Sequence, residues 1–176
     1  LYILRHQKRF DSLSTNTSLT EEGLLLSKTK ALQELEKENI KIIYSSPFLR
    51  TLQTISPYAR KKKITINIEN GFMERLDKDF FKKGYKLYSN YNIRKKYDIY
   101  KINKNDSILS QNFMENRINE NVPDIEERLT HFAPLFMEKI KPFLDKGKNV
   151  VIVTHGAVVK NLLRFLNVWF PFKNIE

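Results

Sequence analysis

Short apolar runs alternate with longer segments that are apolar on one side only. Residues 1–4 (LYIL) make the first run and read as a short buried strand. The polar stretch from Gln7 to Ser18 reads as a loop. Thr20 is placed to cap a helix, with Glu21 and Glu22 in its first turn, where negative charge meets the positive end of the helix dipole. The LLLSKTKALQELEKEN that follows has helical spacing, with Leu25, Lys28, Leu32 and Leu35 on neighbouring rows. Residues 41–44 (KIIY) predict a second strand. Pro47 takes the place of a first-turn proline, and the helix after it is expected to reach Lys62, with Pro57 kinking or dividing it. Residues 64–68 (ITINI) alternate and are β-branched, which predicts a third strand.

Residues 71–121 lack a clear period and are rich in Lys, Tyr and Asn. Pro123 and Asp124 open another helix towards Lys146, disturbed by Pro134 and Pro142 and ended by Gly147. NVVIVT at 149–154 predicts a fourth strand, buried on both faces. Residues 157–167 predict a last helix. Strands alternating with helices argue for an α/β fold, a three-layer α/β/α sandwich on a mainly parallel sheet. In such sheets ligands gather at the carboxyl ends of the strands.

Composition narrows the chemistry. The 176 residues, 41% apolar, suit one domain with a single core, with 71–121 as a basic, Tyr/Lys-rich insertion. No apolar run is long enough to span a bilayer. A cytoplasmic location is expected, although residue 1 is Leu and an upstream segment is compatible with the chain. There are no cysteines, so disulfides, thiolate zinc sites and cysteine nucleophiles are excluded. The net charge is +11, and residues 60–104 hold fourteen lysines or arginines against five acids. That excess is either a solvated surface or a field that draws anions.

Three predicted strand ends carry unusual polar residues. Strand one ends in Arg5-His6, strand two in Ser45-Ser46 with Arg50 shortly after, and strand four in Thr154-His155-Gly156. If the strands are parallel, two of the three histidines in the chain and two arginines converge on one sheet edge. Two guanidiniums supply forked donors that match phosphoryl oxygens. A neutral imidazole is a competent nucleophile near pH 7, and a second one can donate to the same group. The guanidiniums neutralise the charge, so the chemistry calls for no metal and no cofactor.

Arg5-His6, SSPFLRTLQT at 45–54, Glu74 in GFMER and VTHG at 153–156 together resemble the histidine phosphatase (phosphoglycerate mutase-like) superfamily. The resemblance covers nearly the whole chain except about 76–121. It implies that His6 is the nucleophile that becomes phosphorylated, that Arg5, Arg50 and His155 bind the phosphate, and that Glu74 protonates the leaving oxygen and then activates water. Asp77 and Asp79 are the alternatives to Glu74, which also has Arg75 as a neighbour to pair with. The family usually has a small residue after Arg-His, and here it is Gln7. Run on, RHQKRFD resembles the RH-x-ER-x-D variant of eukaryotic phosphatase-type members, with Lys8 in place of Glu; this puts Gln7, Arg9 and Asp11 at the pocket entrance, a loop ion pair being the other reading of the last two.

Ser45, Ser46 and Thr51 read as helix-start and packing residues, Gln53 as a partner for backbone, and His131 as ordinary. The tyrosines and lysines of 85–101 read as a lid over the site rather than a platform for nucleobases. The expected activity is metal-independent hydrolysis of a small-molecule or peptide-borne phosphomonoester. The alternatives are a cofactor-dependent phosphoglycerate mutase, to which Glu74-Arg75 has a likeness, and a non-catalytic basic module. Nucleic acid is not the expected partner, and the oligomeric state is open.

Overall fold

The computed structural model describes residues 1–11, 14–76, 95–117, 119–166 and 173–175. Six strands, β1 Tyr2–Arg5, β2 Ile40–Ser45, β3 Ile66–Ile68, β4 Ile102–Asn103, β5 Asn149–Thr154 and β6 Lys173–Ile175, form one sheet in the order β4-β3-β2-β5-β1-β6. All their pairings are parallel. The described helices are α1 Glu21–Lys28, α2 Lys30–Lys37, α3 Leu49–Lys62, α4 Gln111–Glu115, α5 Val122–Leu144 and α6 Gly156–Leu166. A 3-10 turn spans Asn70–Phe72.

The order of the strands positions the site. The chain leaves β1, forms β2, steps outward to β3 and β4, and then returns to insert β5 between β2 and β1. The carboxyl ends of β1, β5 and β2 therefore lie side by side at a point where the order reverses, the usual place for a ligand. The ladder extends one residue beyond the strands there: the His6 amide donates to the Thr154 carbonyl, and the Ser46 amide to that of Val153.

Alternating residues of β5 feed two cores. Val151 and Val153 join Leu4, Ile43, Leu52 and Ile55 under α2 and α3. Val150 and Ile152 join Ile3, Tyr44, Phe136 and Leu162 under α5 and α6. The three-layer α/β/α sandwich expected from the sequence is the observed architecture.

The differences have local causes. The stretch after Thr20 is two helices, because the chain breaks at Thr29 (φ −116°, ψ −92°), where the side chain donates back to the Leu25 carbonyl. Leu25 is consequently 61% exposed, while Gly23 and Ser27 face inward. Pro47 precedes α3 instead of opening it: the N-cap is Phe48. Pro57 does not divide α3, nor do Pro134 and Pro142 divide α5. In α3 the Thr54 and Ser56 hydroxyls each donate to a carbonyl four residues back, and the largely buried helix continues through the proline to Lys62. Gly147, at φ +66°, ends the α5 region as expected. The strand β4 was not legible in the sequence: two residues of edge strand have no period to read. Asp77, Asp79 and most of 85–101 lie outside the described residues.

Candidate active site

His6 follows β1 and is 9% exposed. Its Nδ1 lies 2.8 Å from the Gln7 carbonyl oxygen. A carbonyl only accepts, so Nδ1 carries the hydrogen and Nε2 keeps its lone pair. Burial, with the charges of Arg50, Arg5 and Arg9 adding to it against the Gln7 hydrogen bond, pushes the His6 pKa down to about 3. The ring is therefore neutral at any physiological pH. The Gln7 peptide is itself held, its amide donating to Thr54 Oγ1 at 3.0 Å, while that hydroxyl donates to the Arg50 carbonyl. Gln7 thus meets the site through its main chain, which any residue supplies.

His155 follows β5 and is fully buried. Its ring centroid is 5.3 Å from that of His6, at 62°, and 4.9 Å from Phe48. Nε2 lies 2.8 Å from Ser46 Oγ, whereas Nδ1 is buried without a hydrogen-bond partner among the described residues. Ser46 Oγ also accepts from the Phe48 amide, which leaves its own hydrogen free to go to His155 Nε2. The hydroxyl can donate or accept here, but the Glu74 carboxyl group facing Nδ1 at 3.9 Å favours the ring hydrogen on Nδ1, with Ser46 as the donor to Nε2. Burial, then the charges of Arg50 and others, holds the His155 pKa well below the ordinary range.

Arg50, in the first turn of α3, is 5% exposed. It donates to the Ser14 carbonyl, and its guanidinium carbon sits 4.8 Å over the Phe48 ring. Its Nε is buried without a hydrogen-bond partner among the described residues. Burial lowers its pKa to about 10, with Glu74 opposing and Arg9 adding to the shift, so the group stays charged at neutral pH. The Arg5 guanidinium lies against Gly156, where a Cβ would come within 3.3 Å of its carbon. Arg9 donates to the Phe10 carbonyl and acts electrostatically on His6, Arg50 and His155 alike.

Glu74 follows the 3-10 turn, between the buried Met73 and a half-buried Arg75. Its Oε2 is 3.9 Å from His155 Nδ1, too far for a hydrogen bond but facing it. The structure therefore gathers His6, His155, Arg50, Glu74, Arg5 and Arg9. Asp11 is exposed, beside residues outside the described set. Gln53, as expected, serves backbone: its Oε1 accepts from the Leu19 amide.

Sequence reasoning missed Ser46 as the partner of His155, along with Thr54 and Phe48. The Ser-Ser-Pro run is itself the signal for the first, since Ser46 follows β2 directly and β2 pairs with β5. What results is a neutral ring nitrogen with a free lone pair on His6, near the His155 ring, guanidiniums and a carboxyl group. Donors converging beside a neutral imidazole suit a tetrahedral oxyanion such as a phosphoryl group.

Comparison with known proteins shows the family. The model of the histidine phosphatase superfamily (branch 1) matches residues 1–172, and the chain belongs to that family. Among curated proteins, it is 26% identical over 171 residues to the transcription factor tau 55 kDa subunit of Saccharomyces cerevisiae, covering 89% of this chain but only 38% of that one. Among solved structures, it is similar to the ecdysone phosphate phosphatase of Bombix mori in complex with tungstate (TM-score 0.67, 15% identity, 99% of this chain and 81% of that one). It is also similar to a phosphoserine phosphatase of Entamoeba histolytica in complex with 3-phosphoglyceric acid (TM-score 0.56, 21% identity, 99% and 87%). At these identities the two structures bear on the fold. No helix among the described residues is long and apolar enough to cross a membrane.

Proposed function

We propose that this chain hydrolyses phosphomonoesters through a phosphohistidine at His6. The observation that carries the reading is the pair of buried, neutral rings 5.3 Å apart beside the buried guanidinium of Arg50. Arg5, Arg50 and His155 Nδ1–H hold the phosphoryl oxygens, and Arg9 adds a further positive charge at the entrance. The His6 Nε2 lone pair attacks phosphorus as the bond to the leaving oxygen breaks, and that oxygen takes the proton of Glu74 in its acid form. Glu74, now a carboxylate, takes a proton from water. The water oxygen attacks phosphorus, the N–P bond breaks, and its electron pair returns to Nε2. The charge that builds on the phosphoryl oxygens is met by donors already in place, so the account requires neither metal nor cofactor.

The substrate class is a small-molecule or peptide-borne phosphomonoester. Purified protein is expected to hydrolyse p-nitrophenyl phosphate in the presence of a chelator, and His6→Ala to abolish this. Retained turnover in the variant would overturn the mechanism. Interconversion of phosphoglycerates faster than phosphate release would make the protein a mutase instead.

A second reading, a basic binding module, draws on the likeness to a transcription factor subunit and on the net charge of +11. It predicts steeply salt-dependent nucleic-acid binding with no hydrolysis.

A further inference from the structure

The segment that carries Glu74 is irregular: residues 73–76 belong to no helix or strand. Its carbonyls lie in the interior and need donors. One side chain of α5 reaches two of them, and the Gly71 carbonyl just before the segment. Arg128, with no exposed side-chain surface, donates from Nη1 to the Gly71 carbonyl at 2.7 Å and from Nη2 to the Met73 carbonyl at 3.1 Å, with the Glu74 carbonyl at 3.5 Å. The rest of its fork is taken by the equally buried Glu120, from Nε at 2.8 Å and Nη2 at 2.9 Å.

Glu120 closes the other side. Its Oε2 accepts from the Leu76 amide, and the amides of Asn119 and Glu120 both donate to the Leu76 carbonyl. The ion pair therefore grips the chain before and after Glu74. By contrast, the hydrogen bond to the Glu74 carboxylate among the described residues is a local one, from the Arg75 amide at 3.1 Å. Its place 3.9 Å from His155 Nδ1 is set by the backbone beneath it. Packing adds to the grip: a Cβ on Gly71 would meet the Phe132 ring, one turn along α5 from Arg128, at 2.5 Å.

A buried ion pair is no better for stability than well-packed apolar residues of the same volume. Arg128 and Glu120 do something an apolar pair cannot, which is to fix the height and orientation of an irregular segment through directed hydrogen bonds. We infer that Arg128, paired with Glu120, is a positioning residue that holds Glu74 at the distance from which it exchanges protons with the leaving oxygen and water. The inference rests on the role of Glu74 proposed above. A lysine at 128 keeps the charge but not the fork. Displacing a reacting group by about 1 Å costs on the order of 10²-fold in rate.

The leaving group separates positioning from general damage. An alkyl phosphate needs its departing oxygen protonated, and p-nitrophenyl phosphate does not. kcat/KM reports steps through the first irreversible one, so it is blind to the later hydrolysis of the phosphoenzyme. Glu74→Gln, Arg128→Lys and the charge-free double variant Arg128→Met/Glu120→Leu would be compared with the parent on p-nitrophenyl phosphate and β-glycerophosphate. Inhibition by orthovanadate would report on the anion clamp. The expected result is a loss of about 10²-fold on β-glycerophosphate, a loss within about fivefold on p-nitrophenyl phosphate, and unchanged vanadate inhibition, for all three. If Glu74→Gln splits the substrates and the Arg128 variants lower both alike or neither, the positioning role is overturned and the function stands. If Glu74→Gln itself shows no split, the role of Glu74 falls, and this inference with it.

Discussion

Ser46 shows how one hydroxyl decides what an imidazole can do. With Ser46 Oγ as the donor to His155 Nε2, 2.8 Å away, the ring hydrogen stays on Nδ1, the nitrogen that faces Glu74. Ser46→Ala leaves a fully buried nitrogen without its partner. Such a loss costs about 1–3 kcal/mol. Because the tautomer is no longer fixed, kcat/KM for p-nitrophenyl phosphate is expected to fall about 10–100-fold, less than the 10²–10³ of deleting an oxyanion donor outright. Steady-state kinetics with a thermal melt checks both, and an undiminished kcat/KM would contradict the tautomer assignment. Thr54 plays the matching part for the other ring at one remove. It accepts from the Gln7 amide, and the carbonyl of the same residue accepts from His6 Nδ1.

At the scale of elements, the loop after β1 is fixed by its approach to α1. The Lys8 carbonyl accepts from the Thr20 amide and touches the Thr20 hydroxyl. A Cβ on Gly23 would lie 2.0 Å from that same oxygen. Gly23→Ala therefore has to push α1 off the loop that follows His6, and a loss of about 1–3 kcal/mol is expected, together with weaker turnover. A melting temperature equal to the parent's would contradict the close approach. The sequence showed which elements exist wherever a period ran for several residues: LYIL, KIIY, NVVIVT and the helix opened by Pro123 are all present. It also showed the converging strand ends, because His6, Arg50 and His155 stand beside those runs. Breaks that depend on one residue's backbone, such as Thr29, were hidden. So were contacts made from behind the site, since Arg128 is 54 residues from Glu74 and looks, in sequence, like any charge on a helix.

For the whole molecule, the interior keeps both catalytic-site rings neutral, and this has a consequence for stability. The folded-state pKa of His6 is about 3 and that of His155 is well below the ordinary value, burial being the main cause in each. The unfolded chain takes up a proton on each ring near pH 6.5, which the folded chain refuses. Their contribution is therefore complete above about pH 6.5 and is lost as the pH falls below it, by about 1.4 kcal/mol per pH unit for each ring. Denaturant unfolding at pH 7, 6 and 5 should show this slope, and His6→Asn should make it shallower. Equal slopes in the two proteins would show that the ring is not held neutral.

The claim on which the rest depends is that His6 Nε2 forms a bond to phosphorus. Rapid quenching in alkali after mixing with a ³²P-labelled phosphomonoester tests it directly. The account predicts label on the protein that survives alkali, is lost in mild acid, and maps to the peptide containing His6. Turnover with no labelled protein, or the same label on a His6→Asn variant, would contradict it.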